Sequence, residues 1–144
     1  MLRSLVIASF ALSAVSAMAQ MTPVGLWKTL SDDGKIEKSE VRVVDNNGIV
    51  SGKIERILDP KAKPGEVCDK CTDERKDKPM LGLEIIRGMK KVEGKDVWED
   101  GKILDPENGK DYTLRLTPVE GGKKLEMRGS FFGIGRTQTW IRIQ

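Results

Sequence analysis

Histidine is absent from all 144 residues. That absence excludes a Ser-His-Asp triad, a Cys-His nucleophile pair and any zinc or copper site ligated by imidazole. Cysteine is scarce, with Cys68 and Cys71 the only two. A field of one sign is missing as well. Lys and Arg total 25 against 22 Asp and Glu, the two signs interspersed, with a net charge of +3. Such a balance confers solubility but no strong potential, and it argues against nucleic acid as a partner. Helical periodicity is almost lacking, and Leu5 to Val15 is well short of the ~20 apolar residues a spanning helix needs.

What is present begins with an export leader. Arg3 supplies a positive start, Leu5 to Val15 an apolar stretch, and Ala17-Met18-Ala19 the small side chains a signal peptidase reads. The alternative is a retained anchor. A lipid-modified terminus is disfavoured because no Cys follows the stretch. The reading predicts residues 1–19 as a signal peptide cleaved near Ala19-Gln20, a periplasmic or secreted mature chain, and no transmembrane segment after cleavage. Residues 20–144 are of single-domain size, without a linker.

Along the mature chain, apolar residues recur every second position between Gly, Asn-Gly and Asp-Pro turns. Val24 to Leu30, Glu40 to Asp45 and Ile49 to Leu58 read as strands, the last two joined by Asn46-Asn47-Gly48. Residues 59–79 read as a long polar loop. Leu81 to Ile86 reads as a short strand or a helical turn, and Asp96 to Leu104 as a strand with a bulge at Gly101. Tyr112 to Thr117, Leu125 to Phe131 and Arg136 to Ile143 complete the set. Lys90-Lys91 and Lys123-Lys124 read as solvated turns. About eight sequential strands predict an all-β fold, a small antiparallel up-and-down barrel, with an open sandwich as the alternative.

Three constellations carry chemistry. Gly25-Leu26-Trp27 on the first strand, with Arg136 or Arg142 on the last, resembles the lipocalin arrangement in which an arginine stacks on a tryptophan that plugs the barrel. A guanidinium on an indole face contributes ~0.5–2 kcal/mol. Cys68-Asp69-Lys70-Cys71 reads first as a structural disulfide of an oxidising compartment, closing a ring worth roughly 2 kcal/mol. Redox chemistry would need a helix N-terminus at the first Cys, and zinc would need further ligands. On the final strand Arg136, Gln138, Trp140 and Arg142 share one face, and Thr137, Thr139, Ile141 and Ile143 the other. An inward Trp140 is favoured, because an exposed indole is the costlier arrangement. The acidic stretch Asp105 to Tyr112 reads as turn chemistry, not paired catalytic carboxylates.

Taken in order, Gly25-Leu26-Trp27, Lys78-Pro79-Met80-Leu81-Gly82-Leu83, Ile103-Leu104-Asp105-Pro106 and Gly135-Arg136-Thr137-Gln138-Thr139-Trp140 resemble the bacterial family catalogued as domain of unknown function 2147. The resemblance implies an exported, lipocalin-like β-barrel with Trp27 and Trp140 as architectural residues. It implies no activity.

The leading functional expectation is a binding protein for a small hydrophobic or amphipathic ligand, without cofactor or catalysis. Arg136, Gln138, Trp140 and Tyr112 are the candidate contacts, and Leu114, Leu116, Leu125 and Met127 the apolar walls. Trp27, Arg142, Cys68 and Cys71 are expected to be structural. The alternative is a periplasmic protein-interaction module using the Cys68–Cys71 loop and the Leu81 to Met89 segment. An enzyme would have to act through the cysteine pair.

Overall fold

The computed structural model describes residues 21–131 and 133–144, so the expected leader and its cleavage junction lie outside the described residues. Eight antiparallel strands run in sequence order: β1 (Gly25–Leu30), β2 (Glu37–Asn46), β3 (Ile49–Ile57), β4 (Glu84–Lys91), β5 (Trp98–Asp105), β6 (Lys110–Val119), β7 (Lys124–Phe131) and β8 (Ile134–Arg142). Each pairs with the next, and β1 pairs with β8, closing an up-and-down barrel. Closure leaves no long sheet edge open to a second chain.

Local chemistry accounts for the turns. Asn46 pairs with Ile49, leaving Asn47-Gly48 as a two-residue hairpin loop with φ of 54° and 88°. Those angles are the positive pair that a hairpin matched to strand twist requires. The segment at Leu81 to Ile86 differs from the sequence expectation. Gly82 has φ of 85°, and β4 starts only at Glu84. It then continues through Gly88 to Lys90 and Lys91, which pair with Glu99 and Trp98 instead of forming a turn. Lys124 likewise opens β7, after a single 3-10 turn at Glu120–Gly122. The expected irregularity at Gly101 is present: the β5–β6 register shifts between Trp98 and Gly101.

The barrel seam between β1 and β8 is short, paired at Trp27↔Arg142 and Lys28↔Ile141. Side chains reinforce it. The Arg142 guanidinium lies 4.2 Å from the Trp27 ring centroid. It donates to four backbone carbonyls, those of Gly122 (2.5 Å), Thr22 (2.6 Å), Val24 (2.8 Å) and Gln144 (3.2 Å). Trp27 is fully buried, and its Nε1 donates to the Pro23 carbonyl at 2.7 Å. Of the two candidate arginines, register selects Arg142, while Arg136 sits at the other end of β8. Gly25 explains the Gly-x-Trp spacing. A Cβ there would collide with the Gln144 carbonyl and the Arg142 guanidinium, and its φ of 146° disfavours side chains. This end of the barrel is closed.

The long β3–β4 connection (58–83) is ordered by a local disulfide ring that it buries and by an arginine that reaches the barrel. Cys68 and Cys71 form a disulfide whose residues are 0% and 2% exposed. Arg75 is 4% exposed, donates bidentately to Asp73, and reaches both the Asp111 carboxylate on β6 and the Glu84 carbonyl on β4. Burial opposes the Arg75 charge, but its bonds to Asp73 and Asp111 prevail and raise its pKa. Chiefly through the Arg75 hydrogen bond, Asp73 is held down to about 2 from an ordinary 3.8. A fully buried guanidinium in a charged loop is the fastener that pattern reading does not reveal.

Two outcomes are expected. Arg142→Ala should cost about 3 kcal/mol in urea unfolding, because carbonyls and an indole face lose their partner together. Arg142→Lys should recover little, since an ammonium lacks the planar fork. Wild-type stability from either variant would refute the clamp. For Asp73, the native carboxyl ionises below the unfolded one. Its stabilisation is therefore complete above pH 3.8 and is lost as pH falls through about 2. Asp73→Asn should flatten that part of a stability–pH profile, and parallel profiles would contradict the assignment.

Candidate functional site

Four connections gather at the end of the barrel opposite Trp27: residues 31–36, 58–83, 105–109 and the β7–β8 tip. They surround a cavity of about 820 Å³ that descends between the strands. That volume is within the range of small-molecule sites. The cavity is built because inward positions near this end carry small or modest side chains, such as Thr29, Ser39 and Gly129. In the closed half, Trp27, Val41, Val43, Leu116 and Leu125 are fully buried and fill the space.

The lower wall is apolar. Ile54, Ile85, Leu104, Leu114 and Met127 line it and are all nearly buried. Leu114 and Met127 therefore stand where the sequence analysis expects apolar walls. Leu116 and Leu125 do not, because they belong to the packed core beneath the cavity. Residue Gly129 lines the cavity from β7, and a Cβ there would meet only Tyr112 Cβ at 3.6 Å, ordinary contact.

The four candidate contacts surround this one space. Trp140 is 3% exposed, whereas the alternating Thr137, Thr139 and Ile141 face solvent, so the Arg/Gln/Trp face of β8 points inward. The Trp140 Nε1 donates to no acceptor among the described residues. Arg136 and Gln138 stand nearer the mouth, and both donate to one carboxylate, Asp32, at 2.9 and 2.6 Å. Asp32 belongs to the β1–β2 turn, so this trio bridges the seam at the open end as Arg142 does at the closed end. Tyr112 packs edge-on against Phe131 with centroids 5.6 Å apart, and its hydroxyl accepts from Asn108 at 2.9 Å.

The rim is polar and largely self-paired. Lys38 on β2 meets Asp59 at 2.5 Å and Glu107 at 3.1 Å, joining three elements at the mouth. The Asp59 hydrogen bond raises the Lys38 pKa and lowers that of Asp59 in return. Deeper in, the Thr29 and Ser39 hydroxyls bond each other at 2.8 Å. The β7–β8 tip makes one side of the rim apolar, with Ile134 80% exposed and Phe131 beneath the Lys110 ammonium. Sequence reasoning missed Asp32, Lys38 and Asp59. Charges in turns look alike until the fold gathers them.

The disulfide stands apart from this space, and neither sulfur's residue is exposed. Cys68 follows an isolated bridge between Val67 and Pro79, not a strand leading into a helix. That placement lacks the helix N-terminus that redox chemistry at the first Cys needs. Among the described residues no cluster of Cys, Asp and Glu is arranged to hold a metal, and no helix is long and apolar enough to cross a membrane. A second concavity, about 560 Å³, lies against the outer wall between Arg42, Lys53, Glu55 and Leu81. Arg42, Lys53, Glu55 and Glu84 give it charged sides.

The fold is that of the lipocalins. A Helicobacter pylori protein described as belonging to the lipocalin family superposes with a TM-score of 0.69 over 84% of this chain and 82% of its own, at 21% identity. At that identity the likeness establishes architecture alone. A comparison with curated proteins finds no significant match. The model of a bacterial family described as "uncharacterized protein conserved in bacteria" matches residues 25–142, from the glycine of the Gly-x-Trp plug to the arginine that covers it. The chain belongs to that family, domain of unknown function 2147.

Proposed function

We propose that this protein is an exported carrier or sensor that holds a small amphipathic ligand inside its barrel. The observation that carries the reading is the cavity of about 820 Å³, apolar below and largely polar at its rim. An apolar body gains free energy by leaving water for the Leu114, Met127 and Trp140 walls, at roughly 25 cal/mol per Å² of surface buried. A polar end would remain among Arg136, Gln138, Tyr112 and the Lys38 network. No reacting atom is required of the protein. Export suits the disulfide, since thiols three residues apart stay oxidised in an oxidising compartment.

Native mass spectrometry of the mature protein, purified without denaturation, tests the reading. The expected result is a mass excess over the bare chain that disappears when the sample is denatured. Gly129→Phe fills the cavity from β7 without a backbone penalty, so it should abolish the excess while the melting temperature stays within a few degrees. A cavity that holds nothing in the wild type, or a filled variant that retains the same excess, would refute the carrier reading.

A further inference from the structure

Within that carrier reading, the cavity floor also specifies the chemistry of the ligand's buried end. Trp140 lines the cavity, is 3% exposed, and leaves its Nε1–H without an acceptor among the described residues. The other two indoles are differently placed. Trp27 Nε1 is already bound to the Pro23 carbonyl, and Trp98 lies outside the cavity lining. A buried donor left unmade costs about as much as desolvating it, so whatever fills this space is selected to supply an acceptor.

The charge of that acceptor is also constrained. Trp140 is on β8 opposite Leu125, two residues before the Arg142 clamp, and therefore at the closed end of the cavity. On the adjoining strand β7 its neighbours are apolar, Leu125 directly opposite and Met127 opposite Gln138. The cations that line the cavity, Lys38, Lys61 and Arg136, all stand on strand ends or connections at the mouth. Lys38 and Arg136 are moreover already paired to carboxylates. A carboxylate pushed down to the indole would lose its hydration without gaining a countercharge. A neutral carbonyl would lose far less and would accept the indole hydrogen.

We propose that Trp140 Nε1 recognises an uncharged carbonyl-type acceptor (ketone, ester or amide) near the buried end of an otherwise aliphatic ligand, and that free fatty acids do not enter acid-group first. The Thr29 and Ser39 hydroxyls bond each other through one of their two O–H groups, whereas the buried indole nitrogen has no partner among the described residues.

Three probes of equal chain length separate the possibilities: nonane, methyl heptyl ketone and nonanoate. Titrations are followed by displacement of an environment-sensitive dye and by the indole N–H resonances of nitrogen-labelled protein. The ketone should bind roughly three- to tenfold more tightly than nonane. It should move the Trp140 resonance downfield and leave that of Trp27 in place as an internal control. Trp140→Phe should erase that preference of the ketone over nonane. Nonanoate should bind more weakly than the ketone. Equal binding of ketone and nonane, an unmoved Trp140 signal, or tightest binding by nonanoate would overturn the inference while leaving a carrier in place. Failure of all three probes to displace the dye would overturn the carrier reading and this inference together. The wild-type resonance decides the matter even if the Phe variant folds poorly.

Discussion

One arginine at the barrel seam organises the rest. Antiparallel hairpins zip β1 to β8 in order through local turns, but the last pairing must join the two ends of the domain. Loop-closure entropy opposes that step more than any other. The β1–β8 ladder itself spans only Trp27↔Arg142 and Lys28↔Ile141, extended by backbone bonds of Leu26 with Ile143 and Gln144. Arg142 compensates by covering the Trp27 face and drawing together the carbonyls of Thr22, Val24, Gly122 and Gln144. Burial pushes its pKa down, yet an arginine remains charged under such pressure where a lysine would yield more readily.

The clamp has a functional corollary, because it defines which end is the floor. With Trp27 plugging one end, the opposite end is left to four connections that carry most of the paired charge. There the seam is held by side chains: Asp32 receives both Arg136 and Gln138. The two devices differ in exposure. Arg142 is half-buried and bonded to backbone, whereas the Asp32–Arg136 pair is largely solvated and contributes no more than ~1 kcal/mol. A barrel closed at its floor and weakly fastened at its mouth fits the proposed uptake of a ligand.

Much of this architecture was legible in the sequence, for reasons that can be named. Asn47-Gly48 encodes a turn because both residues tolerate positive φ, and Trp140 faces inward because exposing an indole is costly. Gly-x-Trp carries its own explanation in the space Arg142 needs. The start of β4 is not legible because Met80 and Leu83 pack inward from a loop, giving the same apolar pattern as a strand, and its end is not legible because Gly88 makes Lys90-Lys91 look like a turn. Arg75 was hidden for a different reason. In Asp73-Glu74-Arg75-Lys76 nothing local distinguishes the one cation that becomes buried, because its reach to the Glu84 carbonyl and to Asp111, 36 residues on, exists only in the fold. Leu116 and Leu125 share the alternation of Leu114 and Met127, so periodicity could identify all four as inward but could not divide floor from wall.

The central claim, that the barrel interior is a binding site and not an incompletely packed core, is tested most directly by a crystal structure of the protein purified without denaturation. The account predicts continuous electron density between Leu114, Met127 and Trp140 that matches no protein atom, with an acceptor within hydrogen-bond distance of Trp140 Nε1. Side chains of Ile54, Leu104 and Met127 closed over the space, with the indole nitrogen bonded to the protein itself, would contradict it.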